Sequence, residues 1–432
     1  MSTFQRLSRV VQGTAGVCNR QYGRILGGIV AVAALVRLGR LALIWNRPLL
    51  LNDSIYYSAQ ARGLAEGRLF LEPFSSHPGA EHGPLTSLFM ASVSWIGDAI
   101  PWQRAITVPF GIASVYLVAV VARRIGGNSV ALVAAAAAAV YPNLWLSDGL
   151  VMSESFAITA VLAVLVVATR SGDHTRAGAL ALGVLIGIAG LIRSELLLLA
   201  PLLAVMMIRR RSRGSLARGL VVLIAAAGVI SPWVAFNVAR FERPVLLTTN
   251  EGGLLLGTNS PDTYWGPNIG GWSLVRLLEE MESVPEVAAR DASVRSAHMR
   301  TVGIEFAAEN WRRLPVVVVA RVGRLVDLYG IDAQLAQDAG EERGALGPRA
   351  GVVAFWLLAP FAMLGAIVMG RSSRGRDIRS VILAPIVIAV IVAAAFYGTH
   401  RLRAPAEPSI VMLAAVGVVA ALQAAVTRAG SR

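Results

Sequence analysis

Ten apolar runs, most of them 14 to 21 residues long, recur along a chain of 432 residues: Ile25 to Trp45, Ala105 to Ala122, Ser129 to Pro142, Gly149 to Thr169, Ala177 to Ile192, Glu195 to Ile208, Gly219 to Phe236, Gly351 to Met369, Val381 to Tyr397 and Ser409 to Val426. A bilayer-spanning helix needs roughly 20 predominantly apolar residues, fewer where flanking side chains snorkel. With 55% hydrophobic and only 15% charged residues and a mean hydropathy of +0.61, a water-soluble chain of this length would leave much of that surface exposed. The expected fold is an all-α polytopic membrane protein with about ten transmembrane helices, interfacial helices and two large external loops.

All 40 basic residues are arginine, and their clusters set the orientation. With Arg6, Arg9, Arg20 and Arg24 on the cytoplasmic side, alternate loops carry Arg123 and Arg124, then Arg170 and Arg176, then Arg209, Arg210, Arg211, Arg213 and Arg218, then Arg371, Arg374, Arg376 and Arg379, and the tail Arg428 and Arg432. The alternation closes only if Leu85 to Ile96 and Pro315 to Tyr329 lie at the outer interface rather than cross. The expected divisions are 1–24 cytoplasmic, 25–45 the first span, 46–104 an external loop with interfacial helices, 105–236 six spans, 237–350 an external region, 351–426 three spans and 427–432 a cytoplasmic tail. The net charge of +14 is scattered between apolar runs and lines no single polar face, which argues against nucleic acid as partner. The lone cysteine, Cys18, excludes an intrachain disulfide. The first run has spanning length without a convincing cleavage site before Asn46, so a secretory signal is not expected.

Ionisable residues where apolar runs end are the candidates for chemistry. Asp53, in LLLNDSIYYSAQARGLAEG, stands where the first span leaves the membrane; partial desolvation there is expected to raise its pKa and suit it as a general base, although any such loop needs polar residues. Glu154, with Asp148 shortly before it, follows the third span and either faces a cavity or lies exposed at the interface. Arg193 and Glu195 share a tight external turn, where they either pair and snorkel or face the same cavity as Asp53. Arg401 and Arg403 in HRLRAPAEP are basic residues in an external turn that the positive-inside rule prefers neutral, and guanidinium groups there suit an anionic phosphate. His77, Glu81 and His82 fall close together in SHPGAEHGPL, yet without the helical spacing or third strong ligand of a zincin; a polar loop contacting the acceptor is the competing reading. Arg37 and Arg40 are exceptions within the first span. No phosphate-binding P-loop or dinucleotide fingerprint occurs, so an enzyme of this kind needs an activated donor delivered through the bilayer.

These features together resemble the membrane glycosyltransferases of the C superfamily, in particular the protein O-mannosyltransferase and aminoarabinose transferase family. The likeness covers most of the chain in layout and rests on short motifs. The family's acid just outside the first span, often Asp-Glu followed by Tyr, is similar to Asp53-Ser54-Ile55-Tyr56-Tyr57, with the second acid missing. Its His-Pro-Pro-Leu turn resembles His82-Gly83-Pro84-Leu85, and Arg104 matches an arginine at the start of the next span. Its acid after the third span resembles Glu154, and its Leu-x-Arg-Pro-Glu turn resembles Leu191 to Glu195 with Ser194 for Pro. Pro232, Trp233 and Asn237 resemble Pro-Trp-x-x-Arg-Asn with Phe236 for Arg, Gly257 and Asn259 a Gly-x-Asn turn, and Arg401, Arg403, Pro405 and Pro408 an Arg-Tyr-Arg-x-Pro-x-x-Pro pattern with Leu402 for Tyr.

The resemblance implies transfer of a sugar from a polyprenyl-phosphate or pyrophosphate donor to the hydroxyl of a glycan, lipid or protein acceptor, on the outer face of a bacterial cytoplasmic membrane. It implies Asp53 as general base, Glu154 as a further catalytic residue, and Arg401, Arg403, Arg104, Arg193, His82, Tyr57 and Asn259 as substrate ligands. No cofactor follows from it, and a divalent cation stays open. The segment Asn250 to Gly271 with Trp265 and Trp272 either shapes an acceptor groove or anchors at the interface. Two other readings stand beside it, a transporter or flippase and a non-enzymatic assembly partner for lipid-linked glycans. Convergence of Asp53, Glu154, Arg193, Arg401 and Arg403 on one cavity separates the enzyme from both.

Overall fold

A computed structural model describes residues 21–50, 53–73, 75–170, 175–209 and 214–430. Cys18, Arg6, Arg9, Arg20, Arg210, Arg211, Arg213 and Arg432 lie outside the described residues. Regular structure among those described is helical, apart from one isolated antiparallel bridge between Leu71 and Pro78. Six helical runs are long and apolar enough to cross a bilayer: Tyr22–Ile44, Ala99–Val140, Ser215–Arg240, Leu346–Met369, Ser373–Ala395 and His400–Ala429. Glu154–Ala168 and Arg176–Ile192 are shorter apolar helices. The chain is therefore an all-α multi-pass membrane protein.

The longest run is not one crossing. Within Thr107–Val140 the helix breaks at Gly126 and at Gly127, whose φ of 74° favours glycine. The two limbs fold back on each other, because Gly111 of the first abuts the Asp148 carboxylate while the Ala139 carbonyl of the second accepts from Arg37, the partner of Asp148. The expected spans Ala105 to Ala122 and Ser129 to Pro142 thus occupy separate limbs. Pro84–Ala91 and Leu314–Leu325, of 8 and 12 residues, rise only ~12 and ~18 Å at 1.5 Å per residue, too short for a hydrocarbon core of about 30 Å.

In lipid, helices gain little from hiding apolar side chains from one another, so close backbone contact through small residues supplies the packing. A Cβ on Gly183 would come within 2.4 Å of the Val222 carbonyl oxygen, and one on Gly417 within 2.0 Å of the Phe361 oxygen. Arg37, an unexpected charge within the first span, is buried against Asp148 at 2.7 Å, with Ser155 donating to the other carboxylate oxygen at 2.6 Å. Its Nη1 also reaches the carbonyls of Ala33 and Ala139. Arg37 is spent inside the helix bundle.

Helix direction divides the molecule into two ends. Arg124 at the Gly126–Gly127 break donates to the Val166 carbonyl and Thr169, so the Arg123–Arg124 and Arg170 turns share one end. Following the helices, the turns near Arg209 and Arg371 fall at that same end, while the starts of Asp53–Ala65 and Glu154–Ala168, the finish of Arg176–Ile192 and the start of Glu407–Gly430 meet at the other. Over that second end the region from 241 to 345 builds a helical cap, in which a Cβ on Gly252 would lie 1.9 Å from the Ser296 carbonyl oxygen.

Candidate functional site

Three carboxylates enclose one guanidinium. Arg401, at the start of the last helical run, donates from Nη2 to Asp53 Oδ2 at 2.5 Å, from Nε to Glu154 Oε1 at 2.5 Å and from Nη1 to Glu341 Oε1 at 3.1 Å. A planar fork of N–H donors suits this threefold engagement, which a lysine ammonium would not reproduce. Glu154 opens its helix and is fully buried. Arg193 approaches the same Glu154 oxygen at 3.4 Å and pairs with Glu195 at 2.6 Å. Glu154 Oε2 has no hydrogen-bond partner among the described residues.

Asp53 is the most open of the three, 29% exposed, and Arg401 only 11%. Burial pushes the Asp53 carboxyl upward, but the Arg401 guanidinium and then His82 outweigh it and hold the group well below the usual carboxylate range. This corrects the expectation of a raised value: partial desolvation is present, and the paired cation wins. His82 Nε2 lies 3.6 Å from Asp53 Oδ1 and 3.9 Å from Glu81 Oε1, too far to hydrogen-bond either, and its ring stacks on Tyr57 at 4.7 Å. Burial lowers the imidazole pKa, Asp53 raises it, and the net is upward. Asp53, Glu81 and His82 place one ligand atom each within 4.8 Å of one another. That donor set fits a divalent cation, and it joins Asp53 to the loop instead of using His77.

The structure explains why Gly83 stands where the expected His-Pro-Pro-Leu turn has its first proline. Its φ of −61° would admit proline, but a Cβ there would fall 2.3 Å from the Leu191 carbonyl oxygen. Only a glycine lets the His82 loop rest on the turn that carries Arg193. Phe236 is explained similarly: Arg240, one helical turn on, lays its guanidinium 4.4 Å over the Phe236 ring and donates to the carbonyls of Phe70 at 2.6 Å and Gly79 at 2.9 Å. That ties the 68–80 loop to the helix.

Of the five residues expected to converge, four form one contiguous network: Asp53, Arg401, Glu154 and Arg193. Arg403 is buried beside it in a second network, donating to Glu407 at 2.6 Å, Asp327 at 2.9 Å and the Leu325 carbonyl at 2.5 Å. His400 bridges Asp327 and Asp338 at 3.0 and 2.7 Å, and Asp338 in turn lies 3.6 Å from Arg343, which approaches Glu154 at 3.8 Å. Arg104 pairs with Glu342 at 2.5 Å, whose other oxygen accepts from Ser54 beside Asp53. Asn259 is placed elsewhere, accepting from Tyr264 at 2.8 Å and Arg321 at 3.2 Å.

Sequence reading missed the tripeptide Glu341-Glu342-Arg343. Each member serves the site: Glu341 on Arg401, Glu342 on Arg104, and Arg343 within 3.8 Å of Glu154. Glu342 holds a left-handed φ of 64°, which costs a non-glycine residue about 1–2 kcal/mol and is kept in place by these contacts. Tyr397 was missed too; burial raises its phenol to about 12, so it stands neutral among the charges of Arg401, Glu341 and Asp53.

No protein-family model matches the sequence, and no curated protein is significantly similar to it. Solved structures do match. The chain shares its fold with an archaeal oligosaccharyltransferase. The oligosaccharyltransferase of Archaeoglobus fulgidus in its apo form superposes with a TM-score of 0.55 at 15% identity, over 92% of this chain and 50% of that one. The same archaeal enzyme, AglB, in complex with an inhibitory peptide and a dolichol-phosphate gives 0.56 at 15% identity, over 93% and 50%. ArnT from Cupriavidus metallidurans bound to undecaprenyl phosphate matches with a TM-score of 0.43 and 13% identity, over 89% and 77%. The chain spans about half the length of the oligosaccharyltransferase.

Proposed function

We propose that this chain is a glycosyltransferase that moves a sugar from a polyprenyl-phosphate or pyrophosphate donor to a hydroxyl of a glycan, lipid or protein acceptor, at the outer face of a bacterial cytoplasmic membrane. The observation that carries the reading is Arg401 gripped by Asp53, Glu154 and Glu341 where several helix ends meet. The fold, shared with an enzyme solved with dolichol-phosphate, supports it. Arginine-rich turns at the opposite end favour an outward-facing site by the positive-inside rule.

Asp53 takes the proton of the attacking hydroxyl, a contribution of about 10²–10⁴-fold for a general base. Paired with Arg401 it is a weak base. The donor phosphate competes for that guanidinium, and as Arg401 turns to the phosphate the Asp53 carboxylate loses its counter-cation and gains basicity. Arg193 steadies Glu154 during the exchange. An arginine on the leaving phosphate supplies electrostatic help on the order of 10²–10³-fold.

The transport alternative calls for unpaired charge at depth, and Arg37 is already matched by Asp148. Purified protein given a panel of polyprenyl-phosphate sugars should release lipid phosphate from at least one. Absence of turnover across the panel, with the fold intact, would overturn the proposal.

A further inference from the structure

Among the described residues, Arg343 is a buried guanidinium beside the Arg401 cluster that forms ion pairs with carboxylates without hydrogen-bonding them. Its side chain is 7% exposed, and the nearest oxygens are Asp338 Oδ1 at 3.6 Å, Glu341 Oε2 at 3.7 Å and Glu154 Oε1 at 3.8 Å. Among the described residues its Nε and Nη2 have no hydrogen-bond partner. Arg401, by contrast, spends three nitrogens on three carboxylates. Buried N–H donors are rarely left unmet, since each costs free energy that a partner would recover. The strained Glu342 backbone, at φ 64°, fixes the loop that places Arg343 there.

The charge on the donor changes during transfer. In a sugar phosphodiester the phosphate bears one negative charge. As the acceptor oxygen bonds the anomeric carbon, the carbon–oxygen bond to phosphate breaks and its electron pair stays on that oxygen. The acceptor proton passes to Asp53, and the polyprenyl phosphate leaves with a second negative charge. A guanidinium with unspent donors engages that late charge at little cost in the ground state, which is how binding energy accelerates a reaction.

We propose that Arg343 is a leaving-group ligand, whose Nε and Nη2 bind the polyprenyl phosphate product and the transition state leading to it more strongly than the intact donor. This rests on the glycosyl-transfer reading above. The test compares Arg343→Gln, Arg343→Lys and wild type for binding of polyprenyl phosphate and of polyprenyl-phosphate sugar, and for kcat and KM. Binding of polyprenyl phosphate should weaken by ~10-fold or more in Arg343→Gln while donor binding changes less than about threefold, since a charge-assisted hydrogen bond is worth about 1.5–3 kcal/mol and 1.4 kcal/mol is tenfold. In the same variant kcat should fall with donor KM nearly unchanged, and Arg343→Lys should recover part of both. Equal weakening toward donor and product, or unchanged product binding in a variant of wild-type thermal stability, would overturn the inference. Failure of wild type to bind either lipid would instead sink the glycosyl-transfer reading.

Discussion

The buried pair Arg37–Asp148 gives a prediction whose size follows from its surroundings. Both side chains are almost fully buried, 0% and 1% exposed, and joined at 2.7 Å. Removing one partner of such a pair strands the other and costs about 3–5 kcal/mol, whereas replacing both with neutral groups is often close to neutral. Arg37→Met leaves Asp148 with the hydrogen bond from Ser155, and Asp148→Asn leaves Arg37 with the carbonyls of Ala33 and Ala139. Neither remnant balances a full charge. We expect each single variant to lose about 3–5 kcal/mol in a reversible detergent-unfolding titration and the double variant to recover most of it. The double variant should also retain glycosyl transfer, because the pair braces helices and its hydrogen-bond partners, Ala33, Ala139 and Ser155, lie outside the Arg401 network. Single variants costing under about 1 kcal/mol would refute the buried-charge account. A stable double variant without activity would show that the pair does more than brace.

Two further outcomes follow from local geometry. Gly83→Ala forces a methyl against the Leu191 carbonyl, 2.3 Å away, so it should separate the His82 loop from the Arg193 turn; thermal melting should register about 1–3 kcal/mol, with transfer impaired further. Asp291 caps helix Ala292–Glu309 and accepts from the Glu242, Ser293 and Val294 amides. Although burial opposes it, these bonds lower its pKa, so its stabilisation is present above the unfolded value near 4 and is lost as pH falls through the folded value. Asp291→Ala should cost about 1 kcal/mol at pH 7 and progressively less as the pH falls through the folded value, measured by thermal melts across pH.

What the sequence made legible depended on contrast. Charges at the ends of apolar runs stand out, so Asp53, Glu154, Arg193 and Arg401 could be picked before any coordinates, and the arginine clusters ordered the helices. The hairpin at Gly126–Gly127 was readable because a dozen or more apolar residues lie on either side. Glu341 to Arg343 lies in a polar segment between apolar runs, where charges are ordinary, and nothing local marks it. Arg403 looked equivalent to Arg401 because the two share one turn, yet only a three-dimensional packing could show its donors taken by Asp327 and Glu407. The Asp53 pKa went astray for a related reason: desolvation is local and readable, whereas the opposing cation comes from a residue 348 positions away.

The central claim is that Asp53 is the base of a lipid-linked glycosyl transfer. Asp53→Asn keeps the side chain's shape and one acceptor oxygen for Arg401 while removing its basicity. Purified Asp53→Asn protein that still binds the donor should transfer sugar about 10²–10⁴-fold more slowly than wild type, read as lipid phosphate released per minute. Full transfer activity in that variant would contradict the assignment.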